Sequence, residues 1–539
     1  MDDRANSSPE QSTVTATLPA DLSTCHAMIR QLMEAHQQQT RLIDGLQNQL
    51  NQLLRRMYGR SSEKLDPNQL ALFAEMLKQL QPDEPMPPVV EPQSAPASRP
   101  AAKGHGRRQI PDDLPRVRVE KDIPENEKPC PCCGKMRCRI GEEISEKLDY
   151  VPAKIQVLQT ARFKYACKDC EAGGNGPQIV IPEMPSSPIE KGLAAPGLLA
   201  YVIVSKYSDH LPLHRLEKIL DRHHIDIARS TLCDWAAQCA LALNPLYELM
   251  IRMILQSKVI HTDDTPVDVL DKSRNDTRTG RFWVYLGDKD HPCTVFDYTP
   301  SRSRDGPVKF LEGWGKDRKV YLQADAFGGY DILYQPESAR DQTWRNETGR
   351  IVEVACWAHA RRKFFEARDG NLAVGTQALA HIKLLYEVEH QAKDITPTDR
   401  AALRQQLSVP RLQQFRTWLE AQQAVKGGSV LPKSAMGQAI QYTLNQWDAL
   451  CVYTSDGDLS IDNNAAENAL RRIAVGRNNW LFCGSDTGGH TAAVLFSLIA
   501  TCERHHVNPF DYLKDVLTRI ADAPISKLAE LLPGRWQPA

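Results

Sequence analysis

Three carboxylates stand where a carboxylate is awkward, and they constrain this chain more than any bulk property. Asp263 closes the apolar run 258–261, Asp325 closes the run 319–324, and Glu467 falls one turn into a helix that Asn463 and Asn464 start. Both runs read as buried strands. A carboxylate taken out of water is costly unless it is paired or binds a metal. Two on strand ends and one on a helix suit convergence on a pair of hard divalent cations. Such a pair activates a water or a hydroxyl and stabilises the leaving oxygen of an in-line phosphoryl displacement.

The surroundings suggest one scaffold for the three. Residues 259–263, 281–286, 294–298, 320–325 and 351–356 read as strands, with a helix over 303–311. Three consecutive strands, then helix, strand, helix and strand, is the order of an RNase H-like α/β core. In that fold Asp263 lies on the first strand and Asp325 follows the adjacent fourth strand. Asp264 follows Asp263, and successive strand side chains point to opposite faces, so only one of the two aims at the site. Asp264 is left to assist or to cap the next turn. Glu467 has a plain rival role, because Asn464-Ala465-Ala466-Glu467 has the spacing of a capping box. Against that, Asn463, Glu467 and Arg471 form a polar stripe beside the apolar Ala466, Leu470 and Ile473. A metal carboxylate flanked by phosphate-touching groups fits such a stripe. From 366 to 450 the pattern is helical, an all-α insertion before the Glu467 helix.

Upstream modules differ in kind. Residues 1–24 are polar and disordered in character. Ile29, His36, Ile43, Leu50 and Met57, with Leu32, Gln39, Leu46 and Leu53, make a heptad seam with two polar interruptions. It reads as a coiled coil, or as an amphipathic helix packed on its own chain. A linker rich in Pro, Ala and charge follows. Then Cys130, Cys133, Cys167 and Cys170 form two CxxC pairs suited to one structural Zn²⁺, with Cys132 and Cys138 able to replace a neighbour. The stretch between them, 144–165, reads as strand-rich, so the module is a zinc ribbon. Fourteen cysteines without a secretory signal fit reduced thiols. Helices at 195–207, 213–223 and 230–243 follow, the last with Ser230 as N-cap. They fit a helix-turn-helix with Arg229 in the turn and Thr231, Asp234 and Gln238 on one face of a recognition helix. Any αα-hairpin gives the same pattern.

The formal net charge of −1 gives no overall basic imprint. Basic residues cluster instead, at Arg361, Arg362 and Lys363 and at Arg471, Arg472 and Arg477 among other places. Cys356-Trp357-Ala358-His359 is a single CxxH, two ligands short of a zinc site. Trp480 and Phe482 suit base stacking or core packing.

Taken together, the wording of these segments resembles the IS66 family of DDE transposases. Further phrases carry the likeness: Arg60-Ser61-Ser62-Glu63-Lys64-Leu65, Tyr207-Ser208-Asp209-His210-Leu211-Pro212-Leu213 and Cys356-Trp357-Ala358-His359-Ala360-Arg361-Arg362-Lys363. The resemblance implies Asp263, Asp325 and Glu467 as catalytic metal ligands, and favours Asp263 over Asp264. It implies a zinc-finger-like segment, and DNA contacts from Arg229, Thr231, Arg361, Arg362, Asn463, Arg471 and Arg477. The expected activity is cleavage at an element's ends and transfer of the 3′-hydroxyl into target DNA. Partners would be terminal repeats, target DNA, a second copy through the coiled coil and small accessory proteins of the same element. The setting would be the bacterial cytoplasm, at the nucleoid. Two rivals are a structure-selective nuclease that does not join ends, and a DNA-binding regulator with an inactive core. The implied plan is multidomain α+β: disordered 1–24, coiled coil 25–66, linker 67–128, zinc ribbon 129–185 and helical DNA-binding domain 186–250. The core 251–365 follows, then the insertion 366–450, the core's second part 451–505 and a helical end 506–539.

Overall fold

The computed structural model describes residues 21, 26–31, 33, 34, 36, 39, 155–166, 179–181, 186–190, 192–271, 273, 276–334, 351–424 and 430–538. The four zinc-directed cysteines, the linker and most of the heptad seam lie outside the described residues. The chain divides into two compact units, 83–161 and the remainder. Of the first, only 155–161 is described, without regular structure. Every described strand and helix belongs to the second.

Tyr165–Ala166 (β1) pairs antiparallel with Ile179–Val180 (β2). Residues 162–164, expected in a strand, carry no regular structure, and Phe163 is 70% exposed. Three helices follow: Pro196–Tyr207 (α1), Leu213–Asp221 (α2) and Arg229–Ile254 (α3). Pro196 takes the first-turn position where its missing N–H costs nothing. The third helix corrects its expected bounds. Its N-cap is Ala228, not Ser230, and Glu217 from α2 accepts the Arg229 N–H at 2.8 Å. It also runs past Pro245 to Ile254, because Leu246, Tyr247, Met250 and Ile254 keep the buried stripe going. Tertiary burial outweighs the lost backbone bond at the proline.

The sheet is built from Val259–Asp271 (β3), Asp276–Leu286 (β4), Thr294–Thr299 (β5), Val320–Gln323 (β6), Ile351–Val354 (β7) and Phe482–Cys483 (β8). Its order is β5-β4-β3-β6-β7, with β8 also against β3. The first three are antiparallel neighbours, while β3–β6 and β6–β7 are parallel. Asp305–Phe310 (α4) and Asp331–Tyr334 (α5) lie in the connections. One edge of β3 changes partner along its length. Residues 259–261 pair with β6 and 268–269 with β8. Between them no strand covers that edge among the described residues, and there Pro266 is tolerated inside a long strand.

Next come Trp357–Ala367 (α6), Leu372–Gln391 (α7), Pro397–Leu403 (α8), Val409–Ala424 (α9), Ala435–Asn445 (α10) and Trp447–Cys451 (α11). Asn464–Trp480 (α12), Asp486–Arg504 (α13) and Pro509–Arg519 (α14) complete the helices. Helix α13 covers edge strand β5. Its Ser497 and Thr501 hydroxyls, one turn apart, accept the Phe296 and Thr294 N–H groups at 2.8 and 3.0 Å. The edge that would otherwise invite another strand is thereby satisfied.

Two apolar cores result. One joins the sheet to α1–α3 and α12–α14. The second joins α6, α7 and α9–α11 to Val259, Tyr321 and Val354 of the sheet, and Trp357, Phe364, Phe415 and Trp447 form its aromatic centre with His381 stacked on Phe415 at 4.7 Å.

Candidate active site

Two side-chain amides join the elements that carry the carboxylates. Asn463 is fully buried before α12; its Nδ2 donates to the Thr262 carbonyl at 2.8 Å and its Oδ1 meets His261 Nδ1 at 3.1 Å. Gln323 is fully buried at the end of β6. Its Nε2 donates to the carbonyls of Ser460 and Asp462, at 2.7 and 2.9 Å, and its Oε1 accepts the Ser460 N–H. The start of α12 is therefore tied to both β3 and β6.

This framing brings Asp263, Asp325 and Glu467 together. The His261 face of β3 meets α12, and Asp263 lies two residues on, on the same face. Thr262 faces the other way, toward the Tyr330 hydroxyl. Asp264 shares that opposite face and pairs with Arg281 and Arg302 at 2.9 and 2.7 Å; its side chain is 1% exposed. The expectation of Asp264 as a turn cap is corrected, because two guanidinium groups hold it. Asp325 lies two residues beyond β6 rather than on it, since pairing stops at Gln323. Arg302 also approaches Asp325 at 3.7 Å and stacks over Phe327.

Glu467 does not close a capping box. Asp462 instead accepts the Asn464 N–H, and Glu467 meets His359 Nδ1 at 3.7 Å and Arg362 at 3.6 Å. Cys356, His359 and Glu467 thus form a group whose donor atoms all lie within 4.8 Å of one another. The CxxH, short of ligands in the sequence, gains a carboxylate from another helix.

The electrostatics record the crowding. Burial pushes the Asp263 carboxyl up to about 7; the Asp264 N–H opposes this, and the carboxyls of Asp325, Asp264 and Glu467 add to it. Burial also raises Asp325, with Asp264 adding, while His359, Arg302 and the Phe327 N–H oppose. Asp325 Oδ1, Glu467 Oε1 and His359 Nδ1 are buried with no hydrogen-bond partner among the described residues. Buried polar atoms are normally satisfied. Carboxylate oxygens and an imidazole nitrogen left in this way fit a bound divalent cation.

The other expected residues separate. Arg229 and Arg471 are exposed and Arg361 is half-buried. Asn463 leaves the DNA-facing group, because its amide is spent inside the fold. Arg477 donates to Thr265 Oγ1 and the Pro266 carbonyl, at 3.0 and 2.7 Å, and so fills the open edge of β3. Thr231 and Gln238 line a surface concavity with Trp235, Leu193 and Asp226, while Asp234 is exposed. Trp480 packs on the larger core; Phe482 keeps 43% of its surface exposed. Gln323, Arg302 and Arg281 went unread in the sequence. For Gln323 a signal existed, since a polar residue inside an apolar strand run needs partners.

Comparison with known proteins places the chain. Residues 191–491 match the model of the transposase IS66 family. The zinc-finger binding domain of transposase IS66 matches 127–171, the IS66 C-terminal element 497–533, and the transposase C of IS166 homeodomain 45–119. Relatives from Sinorhizobium fredii bear the name uncharacterized protein. The one called y4hP is 32% identical over 453 residues, 80% of this chain and 77% of its own length. Another, y4jD, is 30% identical over 528 residues, 94% of this chain and 97% of its own. By the match over 191–491 and these relatives, the chain belongs to the IS66 transposase family.

Proposed function

We propose that this chain is an insertion-sequence transposase that cuts element ends by hydrolysis and transfers the 3′-hydroxyl into target DNA. Asp263, Asp325 and Glu467 carry the reaction. The observation that supports this most is their convergence from three separated segments, with buried oxygens left unsatisfied. Repulsion among buried carboxylates opposes folding, and a cation would offset it. The strand order β5-β4-β3-β6-β7, antiparallel then parallel, supports an RNase H-like core, with α7–α11 as its insertion.

Two Mg²⁺, or Mn²⁺ in their place, would supply an activated water or hydroxyl and neutralise charge on the scissile phosphate. The chain's own groups do the rest. Asn463 and Gln323 hold the three carboxylates in register. Arg302 and Arg362 stand beside Asp325 and Glu467, where they would orient phosphate oxygens. Exposed Arg229 and Arg471, with Arg361, would extend the DNA path. Cys130, Cys133, Cys167 and Cys170 would hold one structural Zn²⁺, and the 29–57 seam would pair two copies so that two ends are joined together. Accessory proteins of the same element would assist, in the bacterial cytoplasm. Among the described residues no helix is long and apolar enough to cross a membrane.

The test is a cleavage and joining assay on element-end DNA with Asp263→Asn, Asp325→Asn and Glu467→Gln. Each variant is expected to lose about 10⁴-fold in cleavage, near 5.4 kcal/mol on the barrier at about 1.36 kcal/mol per decade, while still binding the DNA and remaining folded. Full activity in any one removes that residue from the site. Wild-type cleavage without joining would point to a nuclease, and binding without cleavage to a regulator.

A further inference from the structure

We propose that His359 is a ligand of the divalent cation that Glu467 holds, which gives this site a nitrogen donor beside its carboxylates. The inference rests on the reading of Glu467 as a metal carboxylate and adds a residue to it.

The geometry starts at Cys356. It is the N-cap residue of α6, 1% exposed, and its Sγ accepts the Asn463 N–H at 3.2 Å. Asn463 is also the N-cap of α12. One sulfur therefore ties the first turns of the two helices together. His359 is three residues into one helix and Glu467 four into the other, so both side chains are delivered to the same place. The result is the 3.7 Å approach of Nδ1 to Oε1.

A packed histidine is the bland alternative. It leaves two facts unexplained. Nδ1 and Oε1 face each other beyond hydrogen-bond distance, which runs to about 3.2 Å for nitrogen and oxygen. Neither has another hydrogen-bond partner among the described residues, and both atoms are buried. A direct salt bridge would close the gap. Two adjacent positions on an octahedral ion with bonds of about 2.1 Å lie about 3.0 Å apart, so the two atoms need to close by less than about 1 Å to share one. A cation between them would satisfy both atoms at once. Cys356 Sγ, already accepting a backbone N–H and deeply buried, serves as the tie and not as the principal donor.

The donor set also indicates which cation. Carboxylate and water suit Mg²⁺ and Mn²⁺ alike, whereas imidazole suits first-row transition ions. With His359 in the shell, the position beside Glu467 favours Mn²⁺ over Mg²⁺. The nearby Arg362, 3.6 Å from the other Glu467 oxygen, leaves that oxygen less available for a second ion.

The experiment is pulsed electron paramagnetic resonance on the full-length protein, purified without a polyhistidine tag and loaded with Mn²⁺. Wild type is expected to show coupling between Mn²⁺ and one ¹⁴N nucleus. In His359→Ala that coupling disappears, Mn²⁺ remains bound about tenfold more weakly, and the preference for Mn²⁺ over Mg²⁺ in competition shrinks. Circular dichroism checks that the variant is folded. Bound Mn²⁺ without nitrogen coupling, or coupling that persists in His359→Ala, overturns the inference. Glu467→Gln separates the two readings. If it weakens or removes one bound Mn²⁺ while wild type lacks the coupling, the carboxylate site stands and only His359 is lost. If it leaves Mn²⁺ binding unchanged, the carboxylate reading fails as well.

Discussion

Arg404 and the Asp263–Asp325–Glu467 group both carry charge into the interior, and the protein treats them in opposite ways. Arg404 is 1% exposed in the helical segment, and its guanidinium is surrounded. It pairs with Glu389 through two bonds of 2.8 and 2.6 Å and donates to the carbonyls of Tyr453, Asp456 and Leu459. At the carboxylate group, like charges face one another and buried oxygens go unbonded. The first arrangement is what a buried charge needs in order to be tolerated. The second costs stability that a bound cation would offset. The contrast separates charge that holds the fold from charge that, on the proposed function, is kept for chemistry; Arg404 is 1% exposed, whereas the Asp325 and Glu467 side chains keep 24% and 26% of their surface exposed.

The largest effect expected from testing this contrast is at Arg404. Arg404→Ala strips Glu389 of its partner and three carbonyls of their donor, and should destabilise the protein by about 3–5 kcal/mol. Chemical denaturation followed by circular dichroism measures it. A loss under about 1 kcal/mol, the scale of an exposed pair, would mean that Arg404 is not the structural member of the comparison.

A smaller effect is expected at His381, 3% exposed on the same segment and pushed down to about 4 by burial. Its folded value is depressed, so its neutral form is what the fold accepts. The contribution is complete above the unfolded value near 6.5 and is lost as pH falls toward 4. At about 1.36 kcal/mol per unit, the loss reaches at most about 3 kcal/mol. His381→Phe should flatten that part of the stability profile between pH 6.5 and 4. An unchanged slope would show that the imidazole takes up its proton as readily in the folded protein as in the unfolded chain.

The smallest effect has the opposite sign. In metal-free buffer, Asp325→Asn or Glu467→Gln should raise stability by about 1 kcal/mol, because one of the facing charges is gone. Added Mn²⁺ should stabilise wild type more than either variant. A variant less stable than wild type without metal would place its carboxylate on the structural side of the contrast.

Much of the scaffold is legible in the chain because its strands are apolar runs between turn residues. Strands near 259, 281, 294, 320 and 351 appear where that pattern places them. The extension of β3 past Asp263 to Asp271 is not legible. Pro266 argues against a strand there, and only the gap between β6 and β8, filled by Arg477, makes it admissible. The extent of α3 is hidden for the same reason, since Pro245 reads as a stop until the packing is seen. Of the proposed site, context alone singles out the three carboxylates that the fold brings together. Their arrangement is not legible, because it depends on Asn463 and Gln323, whose partners are distant in sequence. Asn463 shows the limit most clearly. Its place on a polar stripe reads as a surface role, and whether an asparagine on such a stripe faces water or a backbone carbonyl is a tertiary fact. Arg404 has no sequence signal that distinguishes it from other arginines of the segment.

One detail of the join between the sheet and the helical segment bears on how much this chain can vary. The segment leaves the sheet at Ala355 and returns at Asn463. At that neck the Trp357 N–H donates to the Ile461 carbonyl at 3.1 Å and the Ala355 N–H to the Ala449 carbonyl at 3.1 Å. In polymer terms the whole stretch is a single loop whose ends are pinned together. The entropic cost of closing a loop grows only with the logarithm of its length, about 0.6 kcal/mol for each doubling. A neck of this kind makes segment length nearly neutral for the site it borders. Residues could be gained or shed in the connections between its helices at little cost to the site, whereas α7, whose Tyr386 hydroxyl bonds Asp462 just before the Glu467 helix, is held in place.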